Sequence, residues 1–206
     1  MVLPFTTQTR TIGDRLGDVF LLLPALLSRL DMIKHPGDDP ELKADADLLL
    51  SELAEMHDFF QADMKGDVDS FANSEEFKDN PMLLATKILI SVLHHTAVVL
   101  VASVCYKLNS ESLVDSVTMA ARCAAILKQV DDVLSLNLAG LFAGVVTSLM
   151  VVVIWSPIAE QREAARRILQ QRRDEKGIED CLNNLIMDSI QYGEKPAHTW
   201  AETTSG

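Results

Sequence analysis

Val133 to Ala159 reads VLSLNLAGLFAGVVTSLMVVVIWSPIA, twenty-seven residues without one charged side chain. A densely charged helical pattern follows at once, Glu160-Gln161-Arg162-Glu163-Ala164-Ala165-Arg166-Arg167-Ile168-Leu169. An uncharged run of this length is either a transmembrane helix or a helix covered on every side by other helices. A second uncharged run, Ile88–Tyr106, is also long enough to span a bilayer, so a hairpin of two spans is the competing reading. Polar groups weigh against it. Ser91, His94, His95, Thr96 and Ser103 stud the first candidate, and Asn137, Thr147 and Ser148 the second. Lys87, Lys107 and Lys128 stand against Asp131 and Asp132, which leaves no strong basic asymmetry around the candidates. Gly140 and Gly144 form a GxxxG, a spacing equally at home where two soluble helices pack closely. Two buried core helices is therefore the favoured reading, and no membrane partner is expected.

At 206 residues the chain suits one domain with a real core. Hydrophobic residues make up 48%, mostly Leu, Val, Ala, Ile and Met, while aromatics are only 5%. With few Gly and Pro inside the periodic segments, that balance favours helices over sheets. The expected fold is all-α: a single domain over 1–192, about six to seven helices around a buried apolar central helix, Leu138–Trp155, enclosed by the helices from Pro81, Ser112 and Pro157. Residues 65–80 are expected as a flexible loop and 193–206 as a disordered tail. The net charge of −12 opposes phosphate binding, so no direct nucleic-acid partner is expected. Cys105, Cys123 and Cys181 are scattered without metal-ligand or disulfide spacing, which points to a reducing intracellular setting, cytoplasmic or nuclear. No secretory signal is expected at Met1–Arg10.

Apolar residues at threes and fours outline the helices. Gly13–Ile33 carries Leu16, Val19, Phe20, Leu23, Leu27 and Leu30 on one face, with a kink or a break into two helices expected at Pro24. Asp39 is read as an N-cap with Pro40 at the first helical position. The helix that follows bears Leu42, Ala46, Leu49, Leu50, Leu53, Met56 and Phe60 on one side and acidic residues on the other. Pro81 opens a third helix reaching Tyr106. Ser112–Leu136 forms a fourth, with Leu113, Val117, Ala120, Ala121, Ala124, Leu127 and Val130 as its stripe. The uncharged helix from Leu138, the charged helix after Pro157 and a short helix over Ile178–Tyr192 complete the set.

The segment Asp18-Val19-Phe20-Leu21-Leu22-Leu23-Pro24-Ala25-Leu26-Leu27-Ser28-Arg29-Leu30-Asp31 resembles the LPxLLxxxD stretch in the C-terminal regulatory region of fungal binuclear zinc-cluster transcription factors. The later block Ile154-Trp155-Ser156-Pro157-Ile158-Ala159, followed by Arg166-Arg167-Ile168-Leu169, is similar to the ending of that region. Here Ser156 separates the Trp and Pro that the family pattern joins. The resemblance implies an all-helical protein of regulatory ancestry, tied to fungal secondary metabolism. It does not imply DNA binding, because the six clustered cysteines of the family's zinc cluster are missing from this sequence.

Candidate chemistry is sparse. His94 and His95 are adjacent and therefore point about a hundred degrees apart on a helix, so they do not jointly serve one metal. The plain reading makes one a hydrogen-bonded core histidine, with the other toward solvent or a cavity. The functional reading gives one an acid–base or hydrogen-bonding role in an interior pocket. His57-Asp58 and Asp131-Asp132 read as surface groups. Trp155, a core anchor at a helix break, is also a candidate pocket wall together with Tyr106 and Met150. No metal and no cofactor is expected, since no HExxH, GxSxG or glycine-rich phosphate loop occurs. Two functions stay open. One is a stand-alone regulatory or interaction protein, which the resemblance favours. The other is a cofactor-free cyclase or isomerase that folds a reactive substrate in an apolar pocket. Expected partners are a hydrophobic small molecule and a second copy or partner protein. The homodimer face is placed on Leu16, Phe20, Leu23 and Leu27 and on the third helix.

Overall fold

The computed structural model describes residues 11–32, 39–64, 80–108, 116–136 and 141–176. Six helices and no strand occur among them, so the protein is all-α. The chain divides into two compact units, Met1–Val114 and Asp115–Gly206. The loop expected at 65–80 lies outside the described residues except for Asn80, and so do the short helix over Ile178–Tyr192 and the tail.

In the first unit α1 (Ile12–Met32), α2 (Pro40–Met64) and α3 (Pro81–Lys107) each pack against the other two. Their starts follow local rules. The Thr11 Oγ1 accepts the Asp14 N–H at 3.2 Å while Asp14 Oδ2 accepts the Thr11 N–H at 3.0 Å, a reciprocal capping box. Asp39 Oδ1 accepts the Leu42 N–H at 2.8 Å ahead of Pro40, as expected, and Asn80 Oδ1 accepts the Leu83 N–H at 3.1 Å ahead of Pro81. The break considered at Pro24 does not occur, since α1 runs unbroken from Ile12 to Met32. Val19, Leu23, Leu26 and Leu30 are buried on both sides of the proline, so packing supports both halves of the helix.

Leu42, Ala46, Leu49, Leu50, Leu53 and Met56 of α2 are all buried, the face its periodicity marks. Helix α3 is the central apolar helix of this unit. It is long and apolar enough over Pro81–Tyr106 to cross a membrane, yet 78% of its most apolar window is buried inside the protein. Its hydroxyls turn back on their own helix, Thr96 Oγ1 to the Val92 carbonyl and Ser103 Oγ to the Val99 carbonyl, each at 2.7 Å. Leu16 and Leu23, expected on a dimer face, are buried here, with Phe20 and Leu27 half-buried.

In the second unit α4 (Ser116–Ser135), α5 (Leu141–Trp155) and α6 (Ala159–Lys176) pack pairwise. Of the stripe expected for α4, Val130 is buried, but the rest of the described stripe lies rotated away from the buried face. Its buried residues are Met119, Cys123, Ile126, Gln129, Val130 and Val133, whereas Val117 is 74% exposed and Ala121 and Ala124 face outward. The alternating spacing of four and three through Met119, Cys123, Ile126, Val130 and Val133 buries bulkier side chains than the alanine face does, so it gains more. Helix α5 lies against α4 and α6, burying Val145, Val146, Leu149, Val151, Val152 and Val153. Ala165 and Leu169 are the buried apolar residues of α6.

Ser156, 2% exposed, organises the turn between α5 and α6. Its hydroxyl accepts the Ile158 N–H at 3.2 Å and donates to Gln161 Oε1 at 2.6 Å. Gln161 Nε2 in turn donates to the Ala120 carbonyl of α4 at 3.0 Å, and Arg162 Nη1 donates to the Ser156 carbonyl at 2.6 Å. Ser156 is thus linked to α4 through Gln161.

Candidate functional site

Both imidazoles singled out in α3 are buried: His94 is 3% exposed and His95 8%. His94 Nε2 lies 2.8 Å from the Leu53 carbonyl of α2. A carbonyl oxygen only accepts, so Nε2 carries the proton and the ring is a donor there. A third ring joins them. His57 of α2 stacks on His94 with centroids 5.5 Å apart, and the His95 centroid is 5.7 Å from His94 and 6.5 Å from His57. The surface-pair reading of His57-Asp58 therefore fails for His57, which is half-buried while Asp58 is exposed. The reason is one helical turn: His57 follows Leu53 by four residues and shares its inward face. Among the described residues no group of three metal-capable side chains is placed to hold an ion.

The other candidates fall in separate units. Tyr106 is half-buried near the end of α3 in the first, while Met150 and Trp155 lie on α5 in the second, half-buried and 9% exposed respectively. Burial pushes the Cys123 thiol up to about 12, against a smaller opposing effect of a hydrogen bond with Ser156. A thiol held protonated in this way is a poor nucleophile near neutral pH. Cys105 is buried with its Sγ 3.9 Å from Asp47 Oδ1.

Sequence periodicity misses a groove between α1 and α2. Leu22, Ala25, Leu26 and Arg29 line one side and Asp45, Leu48 and Leu49 the other, around a volume of about 70 Å³. Leu26 and Leu49 form its buried floor, and Leu48 stands 55% exposed at its wall. On α1 Leu21 is 78% exposed and Met32 70%. The signal was present in the sequence: Val19–Leu23 and Ala25–Leu27 are apolar on more than one face of α1, as Leu48–Leu50 is on α2. A single core stripe uses only part of such runs.

Arginine clamps mark the seam on which the groove lies. Arg29 pairs with both oxygens of Asp39, at 2.7 and 2.8 Å from Nη2, and reaches Asp45 at 2.9 Å through Nη1. This contact with Arg29, reinforced by the Leu42 N–H, holds the Asp39 carboxyl below the usual carboxylate range. Arg15 bonds Glu52 at 2.7 Å through Nε and lies 3.4 Å from Glu55 through Nη2. Since Arg15 meets the later part of α2 and Arg29 its start, the two helices run antiparallel.

No family model matches the chain, and neither the curated proteins nor the solved structures contain a match.

Proposed function

We propose that the protein is an interaction protein, regulatory in role, whose working surface is the α1–α2 face of the first unit. One observation carries the reading: a leucine-lined groove whose wall residue Leu48 remains 55% exposed, on a helix pair where Leu21 of α1 is also 78% exposed. Apolar side chains gathered at a surface gain free energy when a partner covers them. The LPxLLxxxD-like segment that resembles the regulatory region of fungal zinc-cluster factors forms one wall of this groove.

The cyclase or isomerase reading draws on His94 and His95, buried imidazoles capable of proton transfer. With so little of either ring exposed, a substrate reaches them only after α2 opens from α3.

Complementation in the source organism separates the two. A strain lacking the protein is supplied with the wild type, with Leu21→Asp/Leu48→Asp, or with His94→Phe/His95→Phe, each checked for folding by circular dichroism. The interaction reading requires loss of function in the leucine variant and retention in the folded histidine variant. The reverse pattern overturns it in favour of the enzyme.

A further inference from the structure

We infer that the α1–α2 groove receives an amphipathic α-helix of a partner protein, with an apolar stripe bounded at both ends by Lys or Arg; this rests on the interaction reading above. The groove is too small to enclose a small molecule. Its volume of about 70 Å³ compares with the roughly 300–1,000 Å³ of ligand pockets. Its occupant therefore lies along it and inserts side chains. An antiparallel helix pair presents a long furrow, and an amphipathic helix laid in such a furrow anchors through residues at i, i+3 or i+4, and i+7.

Charge then selects the ends. Arg29 is bracketed by Asp39 and Asp45, and Arg15 by Glu52 and Glu55. In the described ion pairs each arginine meets two carboxylates, an excess of one negative charge at each place. The two arginines are fourteen residues apart on the continuous helix α1, about 21 Å along its axis. A leucine surface lies between them. A complementary helix places cations about four turns apart with apolar residues between, and electrostatic steering favours it over neutral or acidic helices. A second copy of this chain, at −12 and with the same acidic ends, is the wrong sign for the face. An anionic lipid surface is disfavoured for the same reason.

The test uses the full chain and fluorescently labelled peptides of about eighteen residues. One has a leucine stripe with lysines fourteen positions apart, a second carries glutamates at those positions, and a third scrambles the stripe. Anisotropy is expected to show saturable binding of the first that weakens with added salt. Binding should be roughly tenfold or more weaker for the second and absent for the third. Leu48→Asp and Leu21→Asp, both at exposed positions, should abolish binding without altering the fold. Equal binding of the acidic and basic peptides overturns the charge assignment and leaves the interaction reading standing. Failure of the basic peptide to bind at any soluble concentration overturns the helix proposal, while complementation by the leucine variant judges the interaction reading separately. Sedimentation showing a dimer that Leu48→Asp dissolves would give the face to a second copy. Vesicle binding lost in the same variant would give it to a lipid surface. Either result overturns the proposal.

Discussion

The two units hold their helices together with different chemistry. In the first, polar groups cross from helix to helix: Arg15 and Arg29 reach from α1 to carboxylates of α2 or its cap, and His94 of α3 reaches the Leu53 carbonyl of α2. In the second, α5 buries a mainly aliphatic surface, and polar links to α4 gather at the turn after it, where Gln161 reaches the Ala120 carbonyl and Cys123 hydrogen-bonds with Ser156. Directional bonds fix one helix register against another, whereas aliphatic packing is sensitive to volume and more tolerant of exchange. Gln129 Oε1 and Ser148 Oγ, both buried, find no hydrogen-bond partner among the described residues, and both belong to the second unit. Among the described residues, charged and imidazole ties between helices are thus a mark of the first unit, and aliphatic packing around α5 a mark of the second.

The largest effects should come from the aliphatic cores. Leu53→Ala and Leu149→Ala, at 1% and 0% exposure, should each destabilise by roughly 2–5 kcal/mol, read from urea titration followed by circular dichroism. A loss under 1 kcal/mol at Leu149 would show that packing does not govern the second unit. Next comes His94→Phe, which keeps a ring but removes the bond to Leu53. It should cost about 1–3 kcal/mol by the same titration, and an unchanged midpoint would remove His94 from the set of cross-helix ties. Ser148→Ala should go the other way. Deleting a buried hydroxyl without a partner is expected to stabilise by up to about 1 kcal/mol. Destabilisation in thermal melts would mean that the hydroxyl is satisfied in solution.

The smallest effect is the acid response of the Arg29–Asp39 clamp, because exposed ion pairs contribute little. The Asp39 carboxyl is depressed, first by Arg29 and then by the Leu42 N–H. Its contribution is therefore complete above the unfolded carboxyl value near ~3.9 and fades as pH falls through the lower folded value. Melting temperature of the wild type should fall more steeply on acidification below about pH 4 than that of Asp39→Asn, which keeps a capping oxygen but no charge. Parallel slopes for the two proteins would assign the acid response elsewhere.

Amphipathic contrast made part of this legible. In α2, glutamates and aspartates delimit the apolar stripe, and every described residue assigned to it is buried. The uncharged helices were equally plain, because in water a helix without a polar face demands cover. Helix α4 was misread because alanines and valines surround it. With small residues on several faces, periodicity alone does not say that Met119, Cys123 and Ile126 outbid Val117 and Ala121. His57 was missed for another reason. Its neighbour Asp58 offers a local partner on paper, while the stacking on His94 depends on how α2 and α3 meet, which no spacing within α2 encodes. The groove escaped because Leu22 and Leu48 lie off the core stripes, and leftover apolar residues acquire meaning only when two helices bring them together.

Pro24 gives α1 an uneven tempo. With no N–H at that position, the Phe20 carbonyl lacks the donor four residues on, and the hydrogen-bond ladder has a missing rung in mid-helix. The two stretches of ladder on either side then open with less mutual dependence than an unbroken helix of the same length allows. The stretch beyond the proline is the one that carries Ala25, Leu26 and Arg29 into the groove. That wall of the groove therefore keeps its place through buried Leu26 and Leu30 and through the Arg29 pairs with Asp39 and Asp45, rather than through an unbroken ladder.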